Sequence, residues 1–222
     1  MKGRFSILYL ISLLTVAAGC NGQNTTPAAT QIKAESSQLV GGGCDGCEIM
    51  YVGMPPSINA VDTSSGWNEA GQKLLVTGKV YQVDGKTPAP NVILYYWHTD
   101  NNGYYSPVEG MDPKAKRHGH IRGWVRSGND GSYSIYTIQP KAYPGRDIPA
   151  HIHMTVKEPA LNEYYIDELV FDNDPLLTKD KRNALENRGG SGIMTVQSNN
   201  GLLTAHHDIV LGLHIPGYPN AR

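Results

Sequence analysis

The stretch Gly123-Trp-Val-Arg-Ser-Gly-Asn-Asp130-Gly131-Ser-Tyr-Ser-Ile-Tyr-Thr-Ile-Gln-Pro140 decides the fold class. Two runs rich in Val, Ile and aromatic residues flank Asn129-Asp130-Gly131, a tripeptide suited to the left-handed backbone of a tight reversal. The segment therefore reads as two strands, Ile121 to Ser127 and Ser132 to Ile138, joined in a hairpin. Asp84-Gly85 marks a second turn of this kind. Outward from there, short β-type runs recur at Leu74 to Val83, Val92 to His98, Ala150 to Val156, Ile166 to Phe171, Ile193 to Gln197 and His207 to His214. Only Leu176 to Asn187 has helical character, with Lys and Arg late in the run and Gly189-Gly190 beyond it. The expectation is an all-β protein, an antiparallel β-sandwich with one short helix, large enough to bury a core without many staples.

The chemistry concentrates in Tyr143-Pro-Gly-Arg-Asp-Ile-Pro-Ala-His151-Ile-His153. In an extended strand alternate side chains share a face, so His151 and His153 project together, close enough to share one ion. Two histidines on one strand face can also be merely solvated. Upstream, the apolar strand ending at Trp97 runs into His-Thr-Asp-Asn-Asn-Gly, then Tyr104 and Tyr105, so a second phenol is on offer. Phenolate and imidazole suit a hard, highly charged ion such as Fe(III), and the thiolates of structural zinc are missing from both segments. Elsewhere His118, His120, His206, His207 and His214 read as structural or exposed, and most of the thirteen tyrosines as strand-surface residues.

Taken in order, Gly78-Lys-Val-Tyr before an Asp-Gly turn, Trp97 with Gly103-x-Tyr105, the Gly123 to Pro140 stretch, Tyr143-Pro and Pro149-Ala-His151-Ile-His153 resemble the intradiol ring-cleavage dioxygenases, the family of catechol and protocatechuate dioxygenases. The resemblance covers about residues 73 to 175. It implies a non-haem ferric ion held by Tyr105, Tyr143, His151 and His153, with Tyr104 a packing or substrate-facing aromatic. It implies a catechol-type substrate and O2, with ring cleavage to a cis,cis-muconate-type diacid and Tyr105 able to take up a substrate proton. In better-known members an arginine stands just before Pro-Ala-His; here that place is Ile148. Arg146, two residues earlier, is the candidate replacement, although it could equally be a solvated charge paired with Asp147. The interval from Tyr143 to His151 is also shorter than in those enzymes, which implies a more open site. Extradiol chemistry would need two histidines and a carboxylate, and the nearby acids Asp147 and Glu158 do not supply that triad. The alternative is a non-catalytic β-sandwich that binds catechol-like ligands or a surface partner, favoured by Ile148.

The amino-terminal region indicates location. Lys2 and Arg4, the apolar run Phe5 to Ala18 and Ala17-Ala-Gly-Cys20 read as a bacterial lipoprotein signal at 1–19 with lipidation of Cys20, the alternative being an ordinary secretory signal. Residues 20–43 are a polar, flexible tether, 44–72 an arm carrying Cys44-Asp-Gly-Cys47, and 73–222 the sandwich. In an oxidising compartment Cys44 and Cys47 read first as a local disulfide, with a redox-active pair or a metal pair as alternatives. The expected setting is the extracytoplasmic face of a bacterial envelope, membrane-bound through the lipid anchor. A formal net charge of −1 gives no footprint for nucleic acid. The basic run Lys114 to His118 reads as a solvated loop. Homo-oligomerisation stays open.

Overall fold

The computed structural model describes residues 39–219. The expected leader, Cys20 and all of the tether but residues 39–43 lie outside them. Two mixed sheets carry the fold, with the core between them. In the first sheet β1 (Val61–Thr63), β5 (Ser132–Ile138), β2 (Lys73–Tyr81), β11 (Leu202–His206) and β10 (Val196–Asn199) follow in that order, and β12 (Ile209–Val210) also pairs with β2. The second runs β4 (Arg122–Arg126), β3 (Ile93–His98), β6 (His151–Lys157), β8 (Leu169–Phe171) and β9 (Ile193–Met194), with β7 (Tyr164–Tyr165) beside β6.

Alternation explains the layers. Leu74, Val76 and Val80 of β2 and Tyr133 and Ile135 of β5 point inward, and meet Leu94 and Tyr96 of β3 and Ile152, Met154 and Val156 of β6. The opposite face of β3 and β6 therefore presents Tyr95, Trp97, His151, His153 and Thr155 away from this core. That second face is covered rather than bare. The segment containing Cys47 to Val52 lies on it, with Trp124 Nε1 donating to Met50 O at 2.7 Å and Arg122 Nη2 to Val52 O at 2.7 Å. Cys47 Sγ approaches Thr155 Oγ1 at 3.7 Å. Cys44 and Cys47 are joined as a disulfide, with Cα atoms 5.5 Å apart.

The all-β reading holds, but three of its details do not. The sheets are not purely antiparallel: β1 with β5, β2 with both β11 and β12, and β8 with β9 are parallel pairs. Each parallel pair joins strands distant in sequence, which local alternation cannot reveal. Asn129-Asp130-Gly131 does reverse the chain, yet its flanking strands do not pair with each other. β4 bonds to β3 in one sheet while β5 bonds to β2 and β1 in the other, so the turn is a corner between layers. Gly131, at φ 77°, is pressed on β2, where an added Cβ would lie 2.5 Å from Val80 O. Ser127 ties the end of β4 down instead, its Oγ donating to Ala89 O at 2.7 Å. Finally, the helix spans only Lys179–Asn183, capped by Thr178, whose hydroxyl accepts from Lys181 N. Leu176 and Leu177 precede that cap, and Ala184 closes the turn.

Candidate metal centre and cleft

The strand pair β3 and β6 sets the site. Trp97 is in register with His153, and their rings stack at 4.7 Å with planes 15° apart. His151 and His153 share the outer face of β6, their Nε2 atoms 3.2 Å apart. Both rings are oriented from behind. His151 Nδ1 lies 2.7 Å from Pro149 O, to which it donates, and His153 Nδ1 lies 3.2 Å from Glu168 Oε1. With each Nδ1–H engaged, both Nε2 lone pairs face the same space, the arrangement of metal-ligating histidines.

Two loops bring the phenols. After β3 the chain folds around Asp100, whose carboxylate accepts from Asn102 N at 2.8 Å, Tyr104 N at 3.1 Å and Ser106 Oγ at 2.6 Å. These donors hold the carboxyl below the usual range in spite of the opposing effect of burial. Gly103, at φ 83°, lets this loop press on the one that bears Tyr143: a Cβ there would sit 2.3 Å from Ala142 O. Thr99 Oγ1 donates across the same junction to Lys141 O at 2.6 Å. Tyr105 and Tyr143 consequently converge, hydroxyl to hydroxyl, at 2.6 Å. Tyr105 Oη is 2.8 Å from His153 Nε2, and Tyr143 Oη 3.1 Å from His151 Nε2. Tyr104 points away, 57 % exposed.

Four donors thus form a closed ring of contacts, compact enough for a single ion to replace their mutual hydrogen bonds. Burial, followed by the hydrogen bond between them, pushes the Tyr105 phenol far above its ordinary value, and burial likewise raises Tyr143. Burial and the adjoining His153 lower His151. Phenols held protonated and an imidazole held neutral form a donor set that a bound cation would complete: it would supply the positive charge that phenolates need. The residues present fit a ferric ion.

Sequence reading missed Glu168. It is fifteen positions beyond His153 in the chain, yet pairing of His151 with Val170 and Ile152 with Leu169 brings it behind the histidines. Its Oε1 is also 4.0 Å from His151 Nε2, so two histidines and a carboxylate do meet here, contrary to the expectation that no such triad exists. The phenols distinguish the roles: the Nε2 atoms face Tyr105 and Tyr143, whereas Glu168 bonds the far nitrogen of His153. Burial raises the Glu168 carboxyl, but the His153 hydrogen bond and the two imidazoles outweigh it and bring it below its usual value.

In front of the ring lies a cleft of about 530 Å³ lined by Trp97, Tyr165, Ile166 and Leu185, and by Cys44 and Asp45 of the disulfide turn. Arg117 and His118 line it too, so the basic run at 114–118 is not simply a solvated loop. Arg117 Nη1 and Nη2 bond Asp45 at 3.1 and 2.8 Å, and His118 stacks on Trp97 at 4.0 Å. Burial brings His118 down to about 3. Arg146 is exposed and does not line the cleft; Asp147 pairs with Lys181 at 2.8 Å rather than with Arg146. Arg146 does act at a distance, its charge offsetting part of the rise at Tyr143. Ile148 is 37 % exposed.

A family model described as dioxygenase matches residues 51–212. The catechol 1,2-dioxygenase of Acinetobacter baylyi is 29 % identical over 125 residues, which cover 48 % of this chain and 39 % of that protein. The chlorocatechol 1,2-dioxygenase of Rhodococcus opacus is 29 % identical over 136 residues, 54 % of this chain and 51 % of its own length. The chain therefore matches about half or less of these curated relatives. Among solved structures, the dioxygenase domain of a dioxygenase–carbohydrate-binding fusion from Streptomyces sp. SirexAA-E superimposes with a TM-score of 0.52 at 29 % identity, covering 71 % of this chain and 88 % of that one. A chlorocatechol dioxygenase from Rhodococcus opacus shares the fold at a TM-score of 0.53 and 19 % identity, covering 71 % of this chain and 68 % of that one.

Proposed function

Because this chain belongs to the intradiol ring-cleavage dioxygenase family, we propose that it cleaves a catechol-type aromatic with dioxygen between its two hydroxyl-bearing carbons, giving a cis,cis-muconate-type diacid. One observation carries the reading: Tyr105, Tyr143, His151 and His153 converge at a single point, with both histidines presenting Nε2. These four residues would hold a non-haem ferric ion. When bound, it supplies Lewis acidity to the diol and an electron sink for the ring.

The chain's own groups do the rest. Pro149 O and Glu168 fix the imidazole tautomers. Tyr105, if held as a phenolate by the bound ion, would be the group able to take up a proton from a substrate hydroxyl and so become the neutral phenol that its buried setting favours, with the Tyr143 oxygen 2.6 Å away. Trp97, Tyr165, Ile166 and Leu185 give the substrate's ring an apolar berth beside the four donors. Arg146, exposed and not part of the cleft lining, is left a modest electrostatic part through Tyr143.

The setting we propose is extracytoplasmic, with the chain anchored through lipid on Cys20. The bonded Cys44 and Cys47 support an oxidising compartment. The competing view, a binding protein without turnover, draws on Ile148 and on a cleft whose lining arginine is already paired. A visible spectrum of the iron-loaded protein tests the assignment: a tyrosinate charge-transfer band that moves on anaerobic addition of catechol, followed by oxygen uptake, is expected. Tyr105→Phe with Tyr143→Phe should abolish the band. Unchanged colour and iron content in that double variant would refute the ligand set, and a band that moves without any oxygen uptake would favour the binding protein.

A further inference from the structure

We propose that Glu168 sets the charge selectivity of the cleft, which admits catechols whose ring substituent is neutral or carries an ammonium group and rejects those bearing a carboxylate. The inference rests on the catechol reading given above. Four carboxylates line the cleft, those of Asp45, Asp167, Glu168 and Glu186, against one arginine, Arg117. That arginine is already engaged by both its terminal nitrogens, at 3.1 and 2.8 Å from Asp45. Glu186 lies 3.9 Å from Arg188. Asp167 is only 8 % exposed and accepts the Asn187 N–H at 2.7 Å, so it is turned into the protein.

Glu168 is different. Its side chain is 47 % exposed, and its ion-pair contacts among the described residues are the two imidazoles alone, 3.2 and 4.0 Å away. It therefore lines the cleft with a carboxylate that no lysine or arginine among the described residues pairs with, next to the imidazoles of His151 and His153. The lining offers no free cationic side chain to counter it, since Arg117 is held by Asp45, Ile148 occupies the place where the family resemblance leads one to expect a cation, and Arg146 is absent from the lining. A substrate carboxylate placed near Glu168 would be repelled by its like charge. An ammonium group would be drawn to the same spot. Discrimination of about tenfold between the two is the scale for one unit-charge contact at such exposure.

The test is an anaerobic titration of the iron-loaded full chain with catechol, 3,4-dihydroxybenzoate and 4-(2-aminoethyl)catechol, reading Kd from the displacement of the charge-transfer band. Wild type should bind the carboxylate about tenfold more weakly than the amine, with catechol between them, and Glu168→Gln should bring the three together. If that variant loses iron through its effect on His153, wild type alone decides: the spread should shrink as ionic strength rises from about 0.01 to 1 M, because exposed charges are screened. Equal affinities in wild type, or a spread indifferent to salt, overturn the charge inference while leaving the site intact. A band that no diol moves removes the catechol reading and this inference with it.

Discussion

Lowering the pH from 7 to 5 should remove about 4 kcal/mol of stability through His98 and His207 alone, with buried His118 adding a loss of the same sign. His98 is 1 % exposed; its Nδ1 donates to Thr99 O at 2.7 Å and its Nε2 lies 2.7 Å from the Thr137 hydroxyl. His207 is 4 % exposed, beneath Tyr133. Burial brings both down to about 4. Unfolded, each would take up its proton near pH 6.5. A base whose proton affinity falls on folding favours the folded state above the unfolded pKa and disfavours it as pH drops towards the folded one. Between about pH 6 and 4.5 these two residues alone give the unfolded chain about two extra protons, and through them stability falls by about 2.7 kcal/mol per pH unit. Carboxylates such as Asp84, held at about 2 by the Thr87 hydroxyl and backbone amides, lose their contribution only below this window. Urea unfolding at a series of pH values, followed by tryptophan fluorescence, measures the slope. His98→Gln should reduce it by about 1.4 kcal/mol per pH unit. A stability at pH 5 within about 1 kcal/mol of that at pH 7 would refute the account, since domains of this kind have only about 5–15 kcal/mol in total.

Three further outcomes are expected. Gly103→Ala must adopt a left-handed backbone, costing about 1–2 kcal/mol, and its new methyl would meet Ala142 O. Melting temperature should fall and iron affinity, measured by chelator competition, should drop with it, because both phenols ride on that junction. Reducing the Cys44–Cys47 disulfide opens a loop of a few residues and should cost about 2 kcal/mol on the chain-entropy scale, read as a small loss in unfolding free energy. Tyr104→Phe should leave the charge-transfer band where it is, whereas Tyr105→Phe alone should shift and weaken it; identical behaviour of the two variants would reverse the assignment of the ligating phenol.

The long strands and the shared face of His151 and His153 were legible because each depends on local spacing, while the convergence of Tyr105 and Tyr143 on them was expected only through the family resemblance. Lys73–Tyr81 alternates buried and half-buried along its whole length, and the His151-x-His153 interval is itself a statement about one strand face. Pairing was not legible. The Asn129 to Gly131 turn announces a reversal, but the choice between hairpin and corner is made elsewhere, by the contact of Gly131 with Val80 and the anchoring of Ser127 on Ala89. Glu168 was hidden for the same reason: its place depends on the register of β6 with β8. So was Arg117, whose position depends on the Asp45 carboxylate of a segment outside both sheets. Arg146, close in sequence to the histidines, is left exposed by the path of its loop and reaches the ring of donors only through its charge on Tyr143.

The Cys44 to Val52 segment pairs with no strand, yet it roofs the aromatic face of β3 and supplies one wall of the cleft. Scaffold and wall are thereby uncoupled. Substitutions in the roof can reshape the opening without touching the registers that aim the histidines. A truncation that starts at β2 would keep every ligand residue, but would uncover Trp124 and Thr155 and leave a stripe of aromatic surface inviting self-association.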